Sequence, residues 1–331
     1  MRLSFFLWVS LLAFGLPEVF AGTGNGWVTN PLTYILVIPL YGLHFLLLCH
    51  IAIITKRTSW PALYLFGVIF GLYEAWITKV VWSGYPGSNG FAMGGFGQWF
   101  GVHETLGMVL FYHPVTSFLL PLAVLTRIFP AYALYFPAPD WVFGNSKWAL
   151  ARRVTLLLFW GLIAGHNIPA VEPFLVTWVP MIALLWLGYK FLKPRADFRA
   201  TTPLLGKLGV WVVSVWLGLM YVVAYANLQA HLLPPLGAQA VTLALYLGII
   251  RLIKRLPVRQ APAQLVQAPS PAKMPFKWLL ILFAFGLAVS ASIGAGVAQV
   301  VAVALTPFLL MVLLGAGLFI WLGLWKPLIS K

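Results

Sequence analysis

An all-α, polytopic membrane protein of about nine transmembrane helices is what this sequence predicts, and three observations predict it. The 331-residue chain is 62% hydrophobic and only 8% charged. It carries repeated apolar runs of about twenty residues, the length needed to cross a hydrocarbon core. Its lysines and arginines gather in short clusters just outside those runs. Together these exclude a soluble globular domain.

The formal charge of +15 follows from the same clustering. It is the basic excess of loops facing the cytoplasm and gives no reason to expect a nucleic-acid partner. The single cysteine, Cys49, lies inside an apolar run and has no second cysteine in the chain to pair with. No disulfide framework is available to the fold.

The chain opens with Arg2, then 13 apolar-core residues from Ser4 to Leu16, then Pro17 and Glu18. Val19 and Ala21 are small residues at the positions a signal peptidase favours, so residues 1–21 are expected to form a cleaved signal peptide. If it is not cleaved, this segment is a tenth helix. Nine further apolar runs follow, at about 33–55, 61–82, 104–126, 154–170, 173–192, 208–228, 235–251, 277–300 and 303–325.

Placing Lys56 and Arg57 in the cytoplasm fixes the remaining loops by alternation. Apart from Arg2 and Lys79, all nineteen remaining Lys/Arg then fall in cytoplasmic loops or the tail. The expected location is therefore the cell membrane, with the mature N-terminus outside and the C-terminus inside.

Two connections stand out. Residues 83–101 hold seven glycines and several aromatics without a charge, which suits either a lid or an interfacial anchor using Tyr85, Trp99 and Phe100. Residues 256–276 are rich in Pro, Ala and Gln and read as a linker between a seven-helix membrane domain, 22–255, and a two-helix segment, 277–331. That last segment carries Ser290, Ser292, Gly294, Gly296, Gly315 and Gly317, small residues that let helices approach closely.

Function must be sought in the ionisable residues placed within apolar runs, because each is costly in hydrocarbon and is kept for a task. The second run sets Tyr64, Gly67, Gly71, Glu74 and Thr78 at alternating steps of three and four, one stripe along a helix. Gly67 and Gly71 form a GxxxG pair, so close packing turns Glu74 into the bundle. Counted from the outer ends at about 1.5 Å per residue, His44, Glu74 and His113 lie roughly 16, 12 and 14 Å deep, in one layer. Nearer the outer surface come Lys79, His103, Glu104 and His166. The stretch GVHETLGMVLFYHP, residues 101–114, supplies both tiers.

Several chemistries fit these residues. His44, Glu74 and His113 could ligate Zn²⁺ or Fe²⁺ with positions left open for water or substrate. His44 and His113 could hold a haem between facing helices. Glu74 and His113 could form a metal-free proton-transfer pair. His103–Glu104 does not extend to the HExxH zinc-protease pattern, because Gly107 stands where the second histidine is needed.

The leading expectation is a membrane-embedded enzyme acting on a lipid or lipid-linked substrate. In it Glu74, His113 and His44 form the reacting layer, and His103, Glu104, Lys79 and His166 form the mouth. The alternatives are a proton- or ion-coupled transporter using Glu74, or a membrane anchor whose ionisable groups meet other subunits of a complex.

Overall fold

The computed structural model describes residues 3–84, 100–192, 204–228, 231–258 and 274–329. Among these residues the structure is helical with no strand, and nine helices are long and apolar enough to cross a membrane. In chain order we label the short first helix α1 (Leu3–Val19). The nine spans are α2 (Thr33–Ile54), α3 (Trp60–Thr78), α4 (His103–Ile128), α5 (Lys147–Asn167), α6 (Val171–Leu192), α7 (Lys207–Asn227), α8 (Leu236–Arg255), α9 (Phe276–Gly294) and α10 (Ala298–Ile329). Each apolar run expected from the sequence corresponds to one of these spans. Residues 85–99 of the glycine-rich connection and 259–273 of the Pro/Ala/Gln-rich connection lie outside the described residues.

The chain divides into two compact units. The first takes Met1–Gly42, Leu120–Pro203 and Pro262–Pro307; the second takes Leu43–Leu119, Leu204–Ala261 and Phe308–Lys331. Spans α2, α4 and α10 contribute residues to both.

In the first unit, α1 is held by α6. Trp8 Nε1 donates to the Leu185 carbonyl at 2.9 Å, and the indole sits on Gly188, where a Cβ would come within 2.4 Å of it. The Ala21–Gly22 step is buried, and the Ala21 carbonyl accepts a 2.8 Å hydrogen bond from Asn167 Nδ2 at the end of α5. Span α9 packs on α5 through small residues. A Cβ at Gly161 would strike the Phe285 ring and one at Gly165 the Val289 side chain, while Ser290 Oγ donates to the Ile168 carbonyl at 2.5 Å. Gly294 of the small-residue series faces the Pro169 carbonyl in the same way, but among the described residues no atom lies within 4 Å of a Cβ placed at Gly296 or Gly317.

In the second unit α3 is surrounded by α4, α7, α8 and the later part of α10. Its glycines set the distance to α4. A Cβ at Gly67 would lie 2.7 Å from Pro114 Cα, and one at Gly71 would lie 2.9 Å from the Val109 carbonyl oxygen. Both are closer than real side chains pack, so the two backbones approach only because these positions lack a Cβ.

Candidate functional site

Span α4 is built unusually where it faces those glycines. From His103 to Tyr112, and again from Pro114 to Leu119, its backbone is π-helical. The His113 N–H donates to the Met108 carbonyl, five residues back. Pro114 has no N–H to offer the Leu110 carbonyl four residues before it, and Tyr64 Oη of α3 donates to that carbonyl at 2.7 Å. Wide turns of this kind are rare overall and frequent at functional sites; shorter ones also occur in α1, α2 and α10.

This packing brings the sequence-predicted pair together. Glu74 Oε2 lies 3.1 Å from His113 Nε2, with the histidine 1% and the glutamate 16% exposed. The contact is a close approach rather than a well-aligned hydrogen bond. On the other side of the ring, His113 Nδ1 is 3.0 Å from Ser117 Oγ, one helical turn on and fully buried. Thr116 Oγ1 lies 3.5 Å from the same hydroxyl and donates to the Tyr112 carbonyl at 2.7 Å.

The carboxylate only accepts, so with a neutral ring Nε2 carries the hydrogen and Nδ1 accepts from Ser117. With a protonated ring, Nδ1–H donates to Ser117 and the Glu74 contact becomes an ion pair. Ser117 can therefore serve both states without moving.

His44 reaches the same face of α3 by a different route. Its ring stacks on Phe70 at 4.7 Å and meets Tyr73 edge-on at 4.2 Å. Phe70 is also 6.0 Å from the His113 ring. His44 Nδ1 is buried without a hydrogen-bond partner among the described residues. The three predicted ligands do not form a ligand set: no group of three His, Cys, Asp or Glu side chains among the described residues is placed to hold a metal ion. Both nitrogens of His113 face Glu74 and Ser117, so in this arrangement it offers no lone pair to Zn²⁺, Fe²⁺ or a haem iron.

The residues expected at the mouth are distributed less simply. Glu104 is fully buried and His103 nearly so, both in the first turn of α4, where the N-terminal end of a helix favours a carboxylate. The His103 ring is 6.1 Å from that of Phe308. Lys79 closes α3 with a left-handed backbone (φ 61°), uncommon for a residue with a side chain. Its Nζ donates to the Leu228 carbonyl at 2.8 Å and lies 4.7 Å above the Tyr225 ring. Lys79 thus places a cation at the C-terminal end of α7, where the helix dipole favours one. His166 ends α5 and belongs to the first unit, whereas the other six predicted residues belong to the second.

Sequence reading did not single out Ser117. Its signal was present in the i, i+4 spacing from His113, which puts the two on one helix face. The π-helical turns had one sequence cue, Pro114 within an apolar run.

A family model described as an uncharacterized membrane protein family matches residues 6–328. The chain belongs to this family. The match runs from within α1 to the last turn of α10 in this family member. A relative from Archaeoglobus fulgidus, described only as an uncharacterized protein, is 34% identical over 183 residues, 55% of this chain and 56% of the relative. The chain thus spans about half the length of the curated relative it matches. No solved structure matches.

Proposed function

We propose that this family member is a membrane-embedded enzyme in which Glu74 and His113 transfer protons to and from a lipid or lipid-linked substrate. The observation that carries the reading is the 3.1 Å approach of Glu74 Oε2 to His113 Nε2 inside an apolar bundle. A carboxylate and an imidazole held together there can exchange a proton over a short distance, the requirement for a general acid–base pair. Glu74 is the more exposed of the two and is the member that meets substrate. His113 accepts or returns the proton behind it, and Ser117 keeps the ring oriented through both protonation states. His44 Nδ1, buried beside Phe70 and Tyr73 without a partner among the described residues, gives a substrate a further polar contact on the same face.

The test compares lipid extracts from cells with the protein, without it, and with Glu74→Gln in its place. The expected result is a lipid species that accumulates when the protein is absent and persists in the Glu74→Gln cells. A variant that restores the wild-type lipid profile would overturn the reading.

A second reading, proton-coupled transport, is favoured by one feature. The polar chain continues beyond His113 to Ser117 and Thr116 at 3.0 and 3.5 Å, as a relay would. Proton flux in proteoliposomes that disappears with Glu74→Gln, together with unchanged lipid profiles, would favour it over the enzyme.

A further inference from the structure

The first unit contains a cavity of about 130 Å³ whose lining is almost wholly apolar, with Leu12, Leu156 and Leu282 on its walls and Arg153 as its one charged residue among the described residues. That volume is close to engineered cavities that hold a benzene-sized hydrocarbon, so it can take a length of alkyl chain. Polar features appear where the cavity meets the Lys/Arg-rich end of α5. The Arg153 guanidinium lies 4.9 Å over the ring of Trp278, and that of Arg127 lies 5.2 Å over the ring of Phe143; both rings line the cavity. Arg153 Nη2 donates to the Gly144 carbonyl at 3.2 Å. The Nε atoms of both Arg127 and Arg153 are buried with no acceptor among the described residues.

Two guanidinium cations stacked on aromatic rings that line an apolar cavity match an anion attached to hydrocarbon. We propose that this cavity binds an anionic glycerophospholipid, with part of an acyl chain inside and the phosphate of the head group at Arg153 and Arg127. Basic positions at the end of a helix bundle recognise anionic lipid head groups through this combination of charge and apolar contact. Lys277 Nζ lies 5.3 Å over the same Trp278 ring, so charge discrimination is shared by Arg153, Arg127 and Lys277. Ordinary bilayer lipid filling a gap would show no such discrimination. The site shares no residue with the Glu74–His113 pair and does not depend on the function proposed for it.

The experiment is a native mass-spectrometric titration of the delipidated full chain with phosphatidylglycerol and, separately, phosphatidylcholine of the same acyl chains. Wild type is expected to bind phosphatidylglycerol on the order of fivefold tighter or better, the discrimination that one basic residue near a lipid surface supplies. Arg153→Gln should narrow the phosphatidylglycerol preference severalfold, and Arg153→Lys should retain it. Leu156→Trp, which fills the cavity without altering charge, should weaken both lipids. Equal binding of the two lipids to wild type would overturn the proposal, as would phosphatidylglycerol binding unaffected by Leu156→Trp. If Arg153→Gln does not accumulate, Arg153→Lys and Leu156→Trp still decide the matter.

Discussion

Gly71 lies directly against His113: a Cβ at position 71 would come within 3.3 Å of the His113 Cβ and 2.9 Å of the Val109 carbonyl oxygen. The missing side chain lets α3 and α4 close enough for Glu74, one turn along the same stripe, to reach the imidazole. Gly71→Ala is therefore expected to push α4 outward and separate the pair. The cost should be about 1–3 kcal/mol of overpacking, and the proposed activity should fall further than the melting temperature suggests. Gly317→Ala, at a position with open space, is the control. Equal activity of the two variants would remove the glycine from any role in the site.

Tyr64 Oη occupies the carbonyl that Pro114 cannot serve. Tyr64→Phe keeps the ring and removes the donor, leaving the Leu110 carbonyl to the wide helical turn alone. The expected loss is about 1–3 kcal/mol, the usual penalty for a buried polar group deprived of its partner. Thermal unfolding in detergent measures it. An unchanged midpoint would mean that the π-helical bonding already satisfies Leu110.

How much of this was legible in the sequence depends on whether the signal was local. The spans are, because about twenty apolar residues without charge leave a chain in hydrocarbon few options. The stripe of Tyr64, Gly67, Gly71, Glu74 and Thr78 was legible too, and so was its consequence that Glu74 turns inward. Depth counting put Glu74 and His113 in one layer because rise per residue is a backbone constant. It put His44 there as well, but depth says nothing about direction around the helix axis, and the His44 ring is held by Phe70 and Tyr73. Lys79 was read as a cation at a mouth; its contact with Leu228 depends on where α7 ends in space, which no spacing within α3 reveals.

The first helix offers a separate check. Residues 1–21 read as a cleaved signal peptide, yet Trp8 is buried with its indole bonded to Leu185. If α1 stays in the folded protein, Trp8→Ala should lower stability by on the order of 3 kcal/mol, the cost of removing a large buried aromatic. Intact mass of the same preparation supplies the second reading. A mass beginning at Gly22, with stability indifferent to the substitution, would mean that the segment leaves.

Orientation can be read with thiols, because the one native cysteine, Cys49, is buried. Asn30 and Asn145 are both exposed, and the distribution of Lys/Arg assigns them to opposite sides of the membrane. Cysteine at position 30 is expected to react with an impermeant maleimide in intact cells, and cysteine at position 145 only after lysis. The reverse pattern would invert the topology and open the Glu74 layer toward the other compartment.

Ser117 provides the most direct test of the pair, because it touches His113 without being the group proposed to meet substrate. A carboxylate on Nε2 and a hydroxyl on Nδ1 together favour the Nε2–H tautomer of the neutral ring. Ser117→Ala removes the Nδ1 partner and leaves the Glu74 contact in place. It should weaken the tautomer preference and lower activity less than His113→Ala, whose loss is expected at the hundredfold scale or more, roughly what a general acid–base group contributes. Nitrogen-15 spectra of histidine-labelled protein report the tautomer directly, and Glu74→Gln should disturb them more strongly because the amide can donate to Nε2 as well as accept from it. If Ser117→Ala leaves both the spectrum and the activity unchanged, the serine is only packed beside the ring. If Glu74→Gln also leaves the His113 resonances in place, the two side chains do not share a proton, and the 3.1 Å approach serves the packing of α3 on α4.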